Sequence, residues 1–336
     1  MFQTSSLIGQ KYAFAHGRIA TLRQMLMTSS DVFRLVGSHG MQDLEQILTE
    51  LRITDEIDQS LRNADAILDA LNTWLRTEVE QMVLPEQAKV FRILWLENDV
   101  PLVAYLLKKR HGFTSPISRE PASALSSFDP EALRAMIGNG EPGKLPGDLV
   151  QWVKEMVSKE GALPEQLDTE TARFFATMRL KIAKESGSTD IARYVRNTID
   201  SQNVRTALRL LGKEEKDPAM HFLHGGAIPV AHLTGSLETV RAAIEHSPLH
   251  FHMLKTLDRL EDGNAVEQGL RGLLAKDLET MWQSILGVEA PFAFAATAVQ
   301  QFRTLRAVII GKRNGLSPQE IARILPPFIG SSRFTA

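Results

Sequence analysis

Three segments of this chain carry the same pattern of apolar residues, each displaced by 101 positions from the one before. They begin at Asp99, Asp200 and Gln301. Any two amphipathic helices align at some offset because their period is 3.6 residues, but one offset that holds twice indicates a triplication. The aligned apolar columns are Val103, Val204 and Leu305; Leu106, Ala207 and Val308; and Leu107, Leu208 and Ile309.

Helical periodicity extends through the chain, and alternating β patterns of any length are absent. The sequence therefore predicts an all-α fold. One long helix is predicted from Ile57 to Leu75, with Thr54 or Asp55 as its N-cap. Further helices are predicted over residues 86–110, 130–136, 148–159, 168–184, 190–211, 237–245, 265–286 and 292–312.

Two stretches rich in helix-breaking residues divide the chain. Residues 113–129 contain Pro116 and Pro121, and residues 213–229 contain a charge run followed by Gly225-Gly226. Each stretch follows one copy of the repeated segment. The sequence therefore predicts three helical domains, over residues 1–112, 113–216 and 217–336, each with its own core.

Composition excludes several classes of protein. A content of 43% hydrophobic and 23% charged residues rules out wholesale disorder, and 38 basic against 40 acidic side chains argue against a nucleic-acid coat protein. The absence of cysteine excludes disulfides, iron–sulfur clusters and thiol catalysis. The most apolar run, residues 290–299, is half the length that spans a bilayer, and no signal peptide is recognisable, so membrane association is expected to be peripheral.

Three patterns raise the question of a chemical site. His250 and His252, with His221 and His224 nearby, could bind a metal, but positions i and i+2 point to different sides of a helix. Gly225-Gly226 could cradle a phosphate, but the lysine and serine of a phosphate-binding loop are missing. Carboxylates could supply an acid–base pair, but they are scattered along the predicted helices and no fixed spacing brings two of them to one site. We therefore expect no catalytic, cofactor or metal site, and a tight turn at the glycine pair.

Basic side chains outnumber acidic ones near the C-terminus. Residues 293–336 carry six basic side chains and one acidic side chain, Glu320. Cations favour a helix C-terminus, and a local positive surface could also face partner loops or anionic headgroups, so both interpretations stay open. The basic residues are Arg303, Arg306, Lys312, Arg313, Arg323 and Arg333.

Several stretches resemble one known family, the C subunit of the prokaryotic V-type or archaeal (A-type) ATPase, which is the d subunit of the eukaryotic vacuolar enzyme. Residues 12–19, residues 200–205 and the glycine-pair loop at residues 224–229 are similar to its conserved stretches, and residues 303–324 resemble its C-terminal signature. The copies also differ, because Leu102 and Thr304 stand at the positions equivalent to Asn203, and Gln301 stands at the position equivalent to Asp200. These differences weaken the hypothesis that the polar positions have the same role in all three copies.

The resemblance implies a non-enzymatic part of a rotor, without cofactors. Members form a funnel of three similar helical domains around a pseudo-threefold axis. The funnel caps the cytoplasmic side of the membrane proteolipid ring and receives the central shaft, made of the D and F subunits, so that torque passes between them. Two other functions stay open: an α-helical scaffold that binds proteins outside any motor, and an all-α hydrolase.

Five residues are candidate partner contacts under this hypothesis: Asn203, Arg205, Arg306, Gly225 and Gly226. The apolar columns are expected to pack inside each domain. The polar positions between them differ among the copies, so they are expected to face an asymmetric shaft. A double change, Arg205→Glu with Arg306→Glu, is accordingly expected to weaken assembly while leaving the chain folded.

Overall fold

The computed structural model describes residues 2–114, 120–121, 124–213, 217–285, 287–325 and 328–330, with side chains from residue 11 onward. No strand occurs within these ranges, so the all-α prediction is confirmed. The helices are α1 (Phe2–Leu22), α2 (Ser29–Gly37), α3 (Met41–Thr49), α4 (Ala64–Met82), α5 (Arg92–Arg110), α6 (Pro130–Asn139), α7 (Gly147–Ser158), α8 (Pro164–Glu185), α9 (Thr189–Leu210), α10 (Leu237–Glu245), α11 (His250–Met253), α12 (Gly263–Trp282), α13 (Glu289–Arg313) and α14 (Pro318–Ile324).

The predicted helix from Ile57 is wrong in its first turns. Helix α4 begins at Ala64, and its N-cap is Asn63, whose side-chain oxygen accepts hydrogen bonds from the first-turn amides of Asp65 and Ala66. Thr54 lies in a 3₁₀ turn instead, and its hydroxyl donates to the Leu51 carbonyl. Asn63 satisfies the amides that a helix start leaves unpaired, so the helix begins there.

The chain divides into two compact units. One consists of Met1–Phe91 together with Arg271–Ala336, and the other of Arg92–Leu270. The division falls inside α12. Both of the helix-breaking stretches predicted as domain joints belong to the second unit, and residues 115–119, 122–123 and 214–216 within them lie outside the described residues. The three-domain division stays a prediction.

The core of the second unit forms around α5, which packs along α8 and against α6 and α7. Leu102, Val103 and Leu107 of α5 are fully buried there with Phe175 of α8. Eight of the nine residues in the repeated apolar columns are buried across the two units. Leu208 is the exception, being only half-buried. The columns are core positions, as expected.

In the first unit, α13 occupies the centre and packs against α4 and α1. Every residue from Ala290 to Val299 is buried. This run is the most apolar stretch of the sequence, and its five alanines permit close packing of neighbouring helices. The described part of the chain contains no helix long and apolar enough to cross a membrane.

Candidate partner-binding surface

Asp99, at the start of the first repeated segment, is completely buried on α5. Its carboxylate accepts hydrogen bonds from the backbone amides of Ser127 at 2.9 Å and Phe128 at 3.4 Å, just before α6. Burial raises the pKa of Asp99 to about 7, because the desolvation of the charged form outweighs these hydrogen bonds and the nearby charge of Arg92.

Asp200, in the second segment, has the same environment on α9. It is completely buried, and its carboxylate accepts hydrogen bonds from the backbone amides of Ala227 at 2.8 Å and Ile228 at 3.1 Å. Burial again raises the pKa of the carboxyl above its ordinary value.

The glycine pair explains how the loop approaches Asp200. A Cβ on Gly226 would overlap the Asp200 carboxylate, so only glycine allows this approach. Gly225 has a φ of +97°, in the region that side chains disfavour. The tight turn predicted here is confirmed, and the anion that it binds is an internal carboxylate.

Gln301, in the third segment, contacts backbone from both ends of the chain. Its side-chain oxygen accepts from the Met27 amide at 2.8 Å, and its side-chain nitrogen donates to the carbonyls of Met27 at 3.2 Å and Ile329 at 3.0 Å. Gln301 is 1% exposed. We call Asp99, Asp200 and Gln301 the loop anchors, because each ties a loop backbone to a central helix.

The loops bound by the anchors repeat with nearly the same spacing. Met27 and Phe128 are 101 positions apart, and Ile228 follows after 100 more. The contact between Gln301 and Met27 thus corresponds in spacing to the contacts of Asp99 with Phe128 and of Asp200 with Ile228. The anchors therefore share one structural role, so the argument against a shared role from the difference between Asp200 and Gln301 is wrong at this position.

A second repeated feature is an ion pair between each anchor-bearing helix and the start of another long helix. Lys108 of α5 pairs with Asp168 of α8 at 2.8 Å. Arg313 of α13 pairs with Asp65 of α4 at 2.7 Å. Each carboxylate lies within the first five residues of its helix, where the helix dipole favours an anion.

Arg205, a candidate contact, forms the third of these ion pairs. Its guanidinium binds the Glu267 carboxylate of α12 through two hydrogen bonds, of 2.5 and 2.8 Å. The pair lines an open groove of about 1110 Å³ whose walls include the half-buried side chains of Leu208 and Leu237. Arg205 is thus already paired within its own unit.

The candidate contact Asn203 lies in the interior. Its exposed fraction is 1%, and its amide group both donates to the Leu223 carbonyl, at 3.0 Å, and accepts from the Leu223 amide, at 2.8 Å. Thr304 is buried as well, with its hydroxyl donating to the Gln300 carbonyl at 3.2 Å. The expectation that all variable polar positions face outward does not hold for these two.

Arg306 is an exposed candidate with a charged side chain. It lies on α13 one turn before Ile310, which is itself 47% exposed, and no ion pair of its guanidinium is found among the described residues. Lys312 donates to the Ser38 carbonyl at 2.7 Å and Arg313 pairs with Asp65, so these two cations stabilise the unit. Arg333 lies outside the described residues. Lys312 and Arg313 therefore favour a structural role for the C-terminal cations, whereas Arg306 favours a positive surface that faces a partner.

The histidines do not assemble into a metal site within the described residues, where no group of three His, Cys, Asp or Glu side chains could hold an ion. His250 and His252 belong to the single turn α11, and the His250 ring packs edge-on against Phe251. His224 is exposed beside the glycine pair.

Comparison with known proteins decides the family. A family model described as ATP synthase (C/AC39) subunit matches residues 15–324, nearly the whole chain. The chain belongs to this family. It is also similar to the C subunit of the A-type ATP synthase of Thermococcus kodakarensis, with 23% identity over 342 aligned positions that cover 95% of this chain and 90% of that protein. The resemblance found in the sequence is confirmed.

Two stretches that carried the resemblance to the C/AC39 family have clear structural roles. Arg18 of α1 forms ion pairs with both Glu56 and Glu78 at 2.8 Å, which raise the pKa of its guanidinium. In the C-terminal stretch, Gly311 lets α14 pack on α13, since a Cβ there would lie 2.8 Å from a carbon of Ile321. The first stretch thus forms ion pairs within its unit, and the second forms a close contact between helices.

Proposed function

We propose that the chain is the non-catalytic rotor adaptor of an A/V-type rotary ATPase, joining the central shaft of the D and F subunits to the membrane proteolipid ring. The observation that carries this proposal is the family match over residues 15–324, together with the archaeal relative, which is named as the C subunit of an A-type ATP synthase. In this role the chain transmits torque and lies peripherally at the inner face of the membrane.

We infer three similar helical domains around a pseudo-threefold axis. The three loop anchors and the three ion pairs support this arrangement, because both features recur in the same order along the chain. The contact of Gln301 with Met27 suggests that the third copy is completed by the N-terminal segment. Three rigidly held loops would suit a socket that must not slip under torque.

Arg306 is the contact that the geometry supports best. Its charge has no described partner and it lies beside an exposed apolar side chain, which is the composition of many protein interfaces. Arg205 is less suitable, because Glu267 already neutralises it. Gly225 is exposed and could touch a partner through backbone, whereas Gly226 serves the approach to Asp200.

Co-purification tests the proposed role. A tagged copy of the chain, extracted from membranes in mild detergent, should bring down the proteolipid and both proteins of the shaft. Recovery of the folded chain without any of them would favour the α-helical scaffold. Nucleotide turnover by the purified chain alone would support the alternative hypothesis of an all-α hydrolase.

The contact surface is tested by charge reversal. Arg306→Glu should weaken capture of the shaft and ring proteins, most strongly at low salt, while circular dichroism stays unchanged, because salt screens the charge that the substitution reverses. The matched control is Arg205→Glu combined with Glu267→Arg, which keeps the intrachain pair. Equal capture by the Arg306 variant and the wild type at every salt concentration would exclude Arg306 from the interface.

A further inference from the structure

One position of the repeated apolar columns is left uncovered. Leu208 is only half-buried, whereas Leu107 and Ile309, at the equivalent positions of the other two copies, are 0% and 2% exposed. Leu208 lines the open groove of about 1110 Å³ beside the ion pair of Arg205 and Glu267. A position that is core in two copies and open in the third indicates that the second copy lacks a covering element.

The first copy shows what covers this position. Leu107 belongs to a buried apolar cluster to which helix α7 contributes Leu149, Val153 and Met156. His111, one turn further along the chain, contacts the Met156 carbonyl through its Nε2 at 2.9 Å. Helix α7 therefore packs at the end of α5, with its apolar side chains in the same cluster as Leu107.

The corresponding face of the second copy is open. Gly212, the equivalent of His111 at the 101-residue offset, lines the groove together with Leu208. Helix α7 has 12 residues and precedes the long helix α8. Before the long helix α12, residues 246–262, all of which the structure describes, form only the single turn α11 and a 3₁₀ turn. The groove therefore marks a face on which a helix like α7 would pack.

The chemistry of the groove favours an apolar occupant. Arg205 and Glu267 neutralise each other, Asp262 accepts hydrogen bonds from two first-turn amides of α12, and the Ser236 hydroxyl accepts from one of α10. Glu261 at the rim is exposed and would repel an anion. The apolar part of the lining consists of Leu208, Leu211, Leu237, Leu260 and Val266. An apolar protein face thus fits better than an anion or a small polar molecule.

We propose that this groove binds an amphipathic α-helix of another protein, about three turns long, which covers Leu208 as α7 covers the equivalent position of the first copy. The bound helix presents apolar side chains at positions i, i+4 and i+7, the spacing of Leu149, Val153 and Met156. Burial of these side chains provides the driving force, and the polar face of the helix stays in solvent.

A peptide of residues 146–160, with blocked ends and a fluorescent label, is the probe, because it contains the α7 sequence from Gly147 to Ser158. Its anisotropy should rise to saturation on titration with the intact chain. Leu208→Asp should weaken binding about 10-fold or more, because a carboxylate then faces the apolar side of the peptide. Leu254→Asp is the matched control, since Leu254 is 49% exposed and does not line the groove, and binding should be unchanged.

A second peptide, carrying Val153→Asp, should also bind about 10-fold more weakly or worse, and it requires no change in the chain. Circular dichroism verifies that the chain variants fold. Absence of saturable binding, equal binding of the two peptides, or equal binding by the wild type and a folded Leu208→Asp variant would overturn the proposal. A wild-type dimer that Leu208→Asp dissociates would assign the groove to a second copy of the chain instead. Shaft and ring proteins are absent from these measurements, so the outcome is independent of the rotor proposal.

Discussion

At the scale of single residues, this protein uses buried polar groups to hold its loops in place. The glycine pair illustrates the point, since its sequence suggested either a turn or a phosphate cradle. Gly226 admits the carboxylate of Asp200, and the next two amides donate to that carboxylate. The chemistry of an anion-binding loop is therefore present, but the anion belongs to the chain.

Gly226→Ala should destabilise the protein by about 1–3 kcal/mol, because the added methyl group would overlap the Asp200 carboxylate and push the loop away. Gly138→Ala is the matched control, since Gly138 lies in helix α6 and a methyl group added there would meet no atom within 4 Å. We expect that control to be neutral or slightly stabilising. Urea unfolding followed by circular dichroism measures both, and equal midpoints would contradict the role of Gly226.

Asn203→Ala should lower the free energy of unfolding by about 2–3 kcal/mol, because it leaves the buried backbone N–H and C=O of Leu223 without their partner. Arg209→Ala, an exposed change on the same helix, should fall within about 0.5 kcal/mol of wild type. The same unfolding measurement applies. A small effect at Asn203 would contradict its role in holding the Leu223 backbone.

At the scale of elements, the start of α4 shows how a cap outweighs periodicity. Apolar spacing continued back to Ile57, yet the helix begins only after Asn63, and the preceding residues form turns. Spacing alone does not distinguish a helix from a series of turns, and the apolar residues of this stretch, Ile57 and Leu61, are only half-buried.

Asn63→Ala should therefore lower the free energy of unfolding by about 1 kcal/mol, since two first-turn amides lose their acceptor. Asp55→Ala, at the N-cap predicted from the sequence, should change it by less than about 0.5 kcal/mol. Thermal melts of the two variants compare them directly. A larger loss at Asp55 would show that the helix starts earlier.

At the scale of the whole molecule, the two ends of the chain belong to one compact unit, and the middle forms the other. Gln301 contributes to this arrangement through its hydrogen bonds to Met27 and Ile329. Helix α4 packs mainly on α13, which lies more than 200 residues away in sequence.

A fragment of residues 92–270 should fold by itself into a helical unit with a cooperative thermal transition, because it contains the complete α5–α8 core. A fragment of residues 1–91 should not, because α4 and α1 lose the helix against which they pack. Circular dichroism of the two purified fragments tests this. A cooperatively folded fragment 1–91 would contradict the assignment of α13 to its core.

The sequence alone determined the helical class, the buried columns of the repeat and the family, because all three depend on local periodicity or on short ordered stretches. The bounds of α9 and α10 came within one residue for the same reason. The interior position of Asn203 and the pairing of Arg205 with Glu267 required the tertiary structure. Their partners lie 20 and 62 residues away in the sequence. The sequence does not show whether a polar residue is exposed or is buried with its hydrogen bonds satisfied.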